Sequence, residues 1–134
     1  MTDPVQPERG WIQIPSRSSV AATADRLESL LRARGIIVFA RIDFCADAAR
    51  AGLSMRPEQL IIFGNPRAGT PLLVAAPTAG LDLPLKALIW EDASGTSWIA
   101  YNDPAYIVRR HALPQTLAEN LAAVVPLIER AATE

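Results

Sequence analysis

Two dense blocks in the middle of the chain constrain its fold more than anything else in it. One is Phe63-Gly64-Asn65-Pro66-Arg67-Ala68-Gly69-Thr70-Pro71. The other covers residues 82–104, from Asp82-Leu83-Pro84 to Tyr101-Asn102-Asp103-Pro104. Gly, Pro, Asn, Asp and aromatic residues are concentrated here beyond what core strands and helices need. Gly and Pro are the strongest local punctuation a chain has. One admits backbone angles that other residues avoid, and the other fixes φ and removes a donor. The blocks therefore cut the chain into short elements and gather special geometry and polar groups in one half of it.

The segments between carry clear periodicities. Residues 11–15 alternate and predict a short first strand, stopped by Pro15 and the serines after it. Ser18 or Ser19 is placed to cap a helix in which Val20, Ala24, Leu27 and Leu31 recur at helical spacing. Gly35 ends that helix. Residues 36–44 form the clearest strand, with Ile36, Val38, Ala40, Ile42 and Phe44 on one face and Ile37, Phe39, Arg41 and Asp43 on the other. A short helix over 45–51, closed by Gly52, and a strand over 59–63 come next. Residues 66–76 predict a helix with Asn65 as its cap and Pro66 at its first position. Residues 85–91 and 96–101 predict a hairpin around Asp92-Ala93-Ser94-Gly95. Asp103-Pro104 starts another helix. Leu117, Leu121, Val124 and Ile128 mark a last amphipathic one, which Pro126 should kink or break.

This order predicts an α+β fold, a two-layer sandwich with a mainly antiparallel sheet and helices on one face. At 134 residues the chain is long enough for one domain, expected over residues 11–134, with a flexible N-terminal arm over 1–10. Half the residues are hydrophobic and a fifth charged, a globular balance. If helices cover one face, the other meets water or another molecule. Ile37, Phe39, Ile61, Phe63 and the strands of Trp90 and Trp98 supply more apolar side chains than one face can hold. A homodimer through the free face is expected, or a ligand surface there, unless the hairpin and last helix curl round to cover it.

The bulk numbers exclude several classes of function. A net charge of −1 gives no electrostatic case for nucleic acid or an anionic membrane. The one cysteine, Cys45, excludes an internal disulfide framework and fits a reducing compartment. Its apolar neighbourhood suggests a buried, inert thiol. The N-terminus lacks an apolar signal region, and no apolar run is long enough to span a bilayer, so a cytoplasmic location is expected. With one His and one Cys no ordinary zinc site is available, and neither a metal nor a cofactor is expected.

Two clusters and two single residues, Asp43 and His111, are able to carry a site. Gly64, Asn65, Arg67 and Thr70 form a turn feeding a helix start, whose free N–H groups and dipole suit an anion. The P-loop ending is absent, and Asn65-Pro66 is first of all a cap. Glu91, Tyr101, Asn102 and Asp103 form a second cluster, in which Asn102-Asp103-Pro104 reads as turn and cap. Asp43 lies at the tip of the long strand. His111 follows Arg109-Arg110 near a helix end and has Asp43 or Asp103 as a possible orienter. Trp11, Trp90 and Trp98 read as core or interface aromatics.

The blocks at residues 63–72, Asp82-Leu83-Pro84-Leu85-Lys86, Trp90-Glu91-Asp92 and Tyr101-Asn102-Asp103-Pro104 together resemble the bacterial domain-of-unknown-function family 302, over residues 36–111. The resemblance implies a small α+β domain with an antiparallel sheet, often dimeric, and no assigned activity. The family commonly has Ile-Asp-His where this chain has Ile42-Asp43-Phe44, so a reaction depending on that histidine is not expected here.

The expected function is therefore a homodimeric binding module without catalysis. It would hold a small polar or anionic ligand among Asp43, Gly64, Asn65, Arg67, Thr70, Tyr101, Asn102 and Asp103, all gathered at one spot. The alternatives are a small enzyme, with Asp43 or Glu91 as base, Arg67 as anion clamp and Tyr101 as donor, and an interaction protein acting through its sheet face.

Overall fold

A computed structural model describes residues 9–134, so most of the N-terminal arm expected over 1–10 lies outside the described residues. Five strands form one antiparallel sheet: β1 (Trp11–Ser16), β2 (Ile37–Asp43), β3 (Glu58–Gly64), β4 (Leu85–Glu91) and β5 (Ser97–Asn102), in the order β1-β5-β4-β3-β2. Pro15 is tolerated because β1 is an edge strand, where a missing donor breaks no ladder. Among the described residues six α-helices accompany the sheet: α1 (Val20–Ala33), α2 (Phe44–Arg50), α3 (Pro66–Ala75), α4 (Pro104–Arg110), α5 (Ala118–Ala122) and α6 (Val125–Thr133). The fold is the α+β sandwich that the periodicities predict.

The helix boundaries follow from caps. Ser19 Oγ accepts the Ala22 N–H at 3.1 Å, and Gly35, at φ 72°, takes the left-handed angle that ends α1. Asn65 and Asp103 cap α3 and α4, each followed by proline at the first position. The last amphipathic stretch is two helices, with the break at residues 123–124 and Pro126 inside the first turn of α6.

The main core lies between the sheet and the pair α1 and α6. Val20, Ala24, Leu27 and Leu31 meet Ile61, Phe63, Ala87, Ile89 and Ile99 from the sheet and Leu127, Ile128 and Ala131 from α6. A second core joins α3, α4, α5 and the short turn Pro77–Leu81, through Leu72, Ala79, Ile107, Val108, Leu113 and Leu121. Since α6 packs beside α1, it does not wrap the opposite face. There Trp90 pairs with Trp98 and Leu88 with Ala100 and Leu60, and most of these side chains stay half-exposed. All three tryptophans lie on this face.

One expectation fails in β2. Its alternation should place Val38, Ala40 and Ile42 together. The register instead shifts between Val38 and Ala40, and Phe39 occupies a bulge. A one-residue bulge exchanges the faces of everything after it. Val38 stays on the core side with Phe63, while Ala40 and Ile42 turn to the open face. Arg41 now points at the helices. Its Nε donates to Gln59 Oε1 at 2.8 Å, and its Nη1 lies 2.8 Å from Asp25 Oδ1 and 3.1 Å from Glu28 Oε1. This satisfies Gln59, the one buried amide of β3, and ties β2 to α1. Phe44 is the first residue of α2 and no part of the strand.

Candidate functional site

The register fixes where each expected site residue sits. Ile37 pairs with Gly64 at one end of the sheet, and Asp43 pairs with Gln59 at the other. Five residue steps along β3 separate these ends, about 17 Å of extended chain. Asp43 is thus at the far end from Gly64, Asn65, Arg67 and Thr70. Its Oδ1 accepts the Ala46 N–H at 2.9 Å, so it is the cap of α2. Tyr101, Asn102 and Asp103 share the end of Gly64, but β4 runs between them. Tyr101 faces the main core, and burial, with Glu129 and Asp103 nearby, pushes its phenol pKa up. Asp103 Oδ1 accepts the Ala105 N–H at 3.1 Å as the cap of α4. Glu91 pairs with Ser97 at the far end, so the acids of the enzyme alternative and its Arg67 and Tyr101 are not brought together.

What the Gly64 end does hold is a cavity of about 300 Å³. Its walls come from the end of β3, the inner side of α3, Gly80 with residues 83–85, and the turn between α5 and α6. Phe39, Leu73, Leu83, Leu85, Leu121 and Val124 supply most of the apolar surface. Three expected site residues, Gly64, Asn65 and Thr70, line it; Arg67 does not. A Cβ at position 64 would come within 3.2 Å of the Phe39 ring, so the ring would have to give way by a few tenths of an ångström. The bulge in β2 is what swings Phe39 to this place. Phe39 and Leu73 stand at the mouth, 52% and 37% exposed. Among the large apolar side chains, Val74 and Leu81 beside them are more exposed still.

The polar groups of the walls are amides and a hydroxyl. Asn65 Oδ1 accepts the Arg67 N–H at 3.0 Å, and Asn120 Nδ2 donates to the Ala68 carbonyl at 3.1 Å, joining α5 to α3. Among the described residues, none lining the cavity has an ionisable side chain.

A second feature holds the cavity's roof. His111, whose side chain is 4% exposed, places Nε2 2.6 Å from Asp82 Oδ2 and Nδ1 3.0 Å from Thr78 Oγ1. Arg110 Nη1 lies 3.0 Å from Asp82 Oδ1. These bonds clasp the segment containing Gly80 and Leu83 to the end of α4. The partner of His111 is thus Asp82, and neither Asp43 nor Asp103. Twenty-nine residues separate the two in sequence, and no local pattern marks the pair. Cys45 is half-exposed, not buried, and its Sγ donates to the Met55 carbonyl at 3.3 Å.

Among the described residues, no helix is long and apolar enough to cross a membrane. Nor, among the described residues, is any group of three His, Cys, Asp or Glu side chains placed to hold a metal ion.

Comparison with known proteins gives three kinds of likeness. The family model described as domain of unknown function DUF302 matches residues 12–131. The solved structure of an uncharacterized conserved DUF302 protein from Bacillus stearothermophilus superposes with a TM-score of 0.74 at 20% identity, covering 92% of this chain and 95% of that one. This is a likeness of fold. The chain is also 47% identical over 106 residues to proteins called fluoride-specific ion channel FluC 1 in Brucella suis and Brucella abortus. The match covers 79% of this chain but only 42% and 39% of those relatives.

Proposed function

This chain belongs to the DUF302 family, and we propose that it is a binding module that takes up a small molecule in the cavity beneath α3 and does no chemistry on it. The cavity itself carries this reading: about 300 Å³ with mainly apolar walls and a few polar groups at the mouth, the usual form of a small-ligand site. Among the described residues the walls offer no ionisable side chain, which argues against acid–base catalysis there. The test is a fluorescence titration with naphthalene. Saturable binding is expected in the native chain. Ala68→Phe, which pushes a ring into the cavity, should weaken it at least about tenfold, and Arg67→Ala should leave it unchanged. No saturation, or binding indifferent to Ala68→Phe, would end the proposal.

The same reading includes a homodimer formed through the open sheet face, supported by the half-exposed tryptophans and leucines there.

The Brucella relatives favour a further role beside a fluoride channel. More than half of each relative lies outside the match, and the matched fold contributes no helix able to cross a bilayer among the described residues. We read the matched part as an appended module, with conduction carried by the remainder. Removing the matched segment from the Brucella suis relative should leave fluoride flux into liposomes intact. Loss of flux from a channel that still folds would contradict this.

A further inference from the structure

The walls of the cavity narrow the class of ligand, granted the reading of the cavity as a binding site. A dry apolar cavity of about 150 Å³ holds one benzene, so this one, at about 300 Å³, has room for two fused rings or a medium-length chain. A carboxylate or phosphate seated there would give up part of its water and meet no cation among the described residues, since none of those lining the walls is charged and Arg67 stands outside them. The sequence points to a polar or anionic ligand at the start of α3; the walls point elsewhere.

The polar groups in reach are neutral and have unused capacity. Asn120 spends one of its two amide hydrogens on the Ala68 carbonyl and keeps Oδ1 as an acceptor. Asn65 spends Oδ1 on the Arg67 N–H and keeps its amide hydrogens. The Thr70 hydroxyl, which both donates and accepts, has no partner among the described residues. All three lie on the α3 and α5 side, so the site has one hydrogen-bonding wall and an otherwise hydrocarbon interior. We infer that the cavity selects an uncharged, largely hydrocarbon ligand carrying a single hydroxyl or carbonyl group, which Thr70 and Asn120 hold.

Three fluorescent aromatics of matched size test this at neutral pH: naphthalene, naphthol and naphthoate, titrated into the native chain and Thr70→Val. Naphthol should bind about 3–10-fold more tightly than naphthalene, the worth of one net hydrogen bond. Naphthoate should bind at least about tenfold more weakly than naphthol. Thr70→Val, which keeps the shape and removes the hydroxyl, should bring naphthol to the level of naphthalene. Equal binding of all three, or a naphthol preference that survives Thr70→Val, would overturn the polar selection while leaving the cavity as a site. Naphthoate binding the tightest would replace it with an anion site at the start of α3. Binding of none of them would remove the cavity reading itself.

Discussion

Asp92 shows how far one carboxylate can organise a turn. Its Oδ1 accepts from the Ser94 N–H and hydroxyl and from the Thr96 N–H, and its Oδ2 accepts from Trp98 Nε1 at 2.9 Å. The Trp98 and Ser94 bonds lead in holding its pKa down at about 2, below the ordinary 3.8. A depressed carboxylate stabilises the fold above its unfolded pKa and loses that contribution as pH falls through the folded one. Asp92→Asn should therefore melt below the native chain at pH ~7, with the gap closing as pH drops from ~4 to ~2. Thermal melts across that range check it; a constant gap would mean the charge contributes nothing. At this scale the sequence was most legible where a side chain serves its own neighbours: the Asp92 turn and the caps Ser19, Asn65 and Asp103. It was least legible for Asp43, whose capping of α2 takes it out of the expected cluster. The clasp of His111 to Asp82 and Thr78 was equally hidden, because its partners come from another segment.

Among the elements, α3 is the one built against its own propensity. Gly69 sits in its interior and Pro71 removes a helical donor, yet the helix forms because Asn65 caps it, Leu72 is buried and Asn120 ties down Ala68. A Cβ added at Gly69 would meet nothing within 4 Å. Gly69→Ala should raise stability by about 0.5–1 kcal/mol in urea denaturation, by stiffening the unfolded chain and improving helix propensity. A loss of stability would mean that the space around Gly69 is needed. The helices were readable from period and punctuation, and Pro126 announced the break before α6. The bulge at Phe39 was not readable. Nothing in Ile36-Ile37-Val38-Phe39-Ala40 singles out the inserted residue, and its placement is settled by pairing with β3 and packing against Gly64.

For the whole molecule, the uncovered sheet face is the feature with the largest consequence. Trp90, Trp98, Leu60 and Leu88 stand together in one patch with Lys86 beside them. The proposed homodimer buries this patch, so sedimentation velocity should find a dimer at micromolar concentration and a monomer for Leu88→Glu, with the same circular dichroism. A native chain that sediments as a monomer would sink the dimer. The composition implied such a face, since the chain has more apolar strand residues than one layer of helices can cover. Which residues fill it depended on the bulge and on α6 choosing the α1 side.

The sequence by itself determined the element order, most caps and the antiparallel α+β class, because period, punctuation and capping act within a few residues. It also carried the family, through several blocks kept in order. Only the tertiary structure decided which residues meet: it split the expected site between two ends of the sheet, left Arg67 outside and assembled a cavity from segments far apart in the chain. The reason is physical. Strand register and helix packing are fixed by contacts between distant segments, and a single inserted residue in β2 was enough to redirect Phe39 and Arg41.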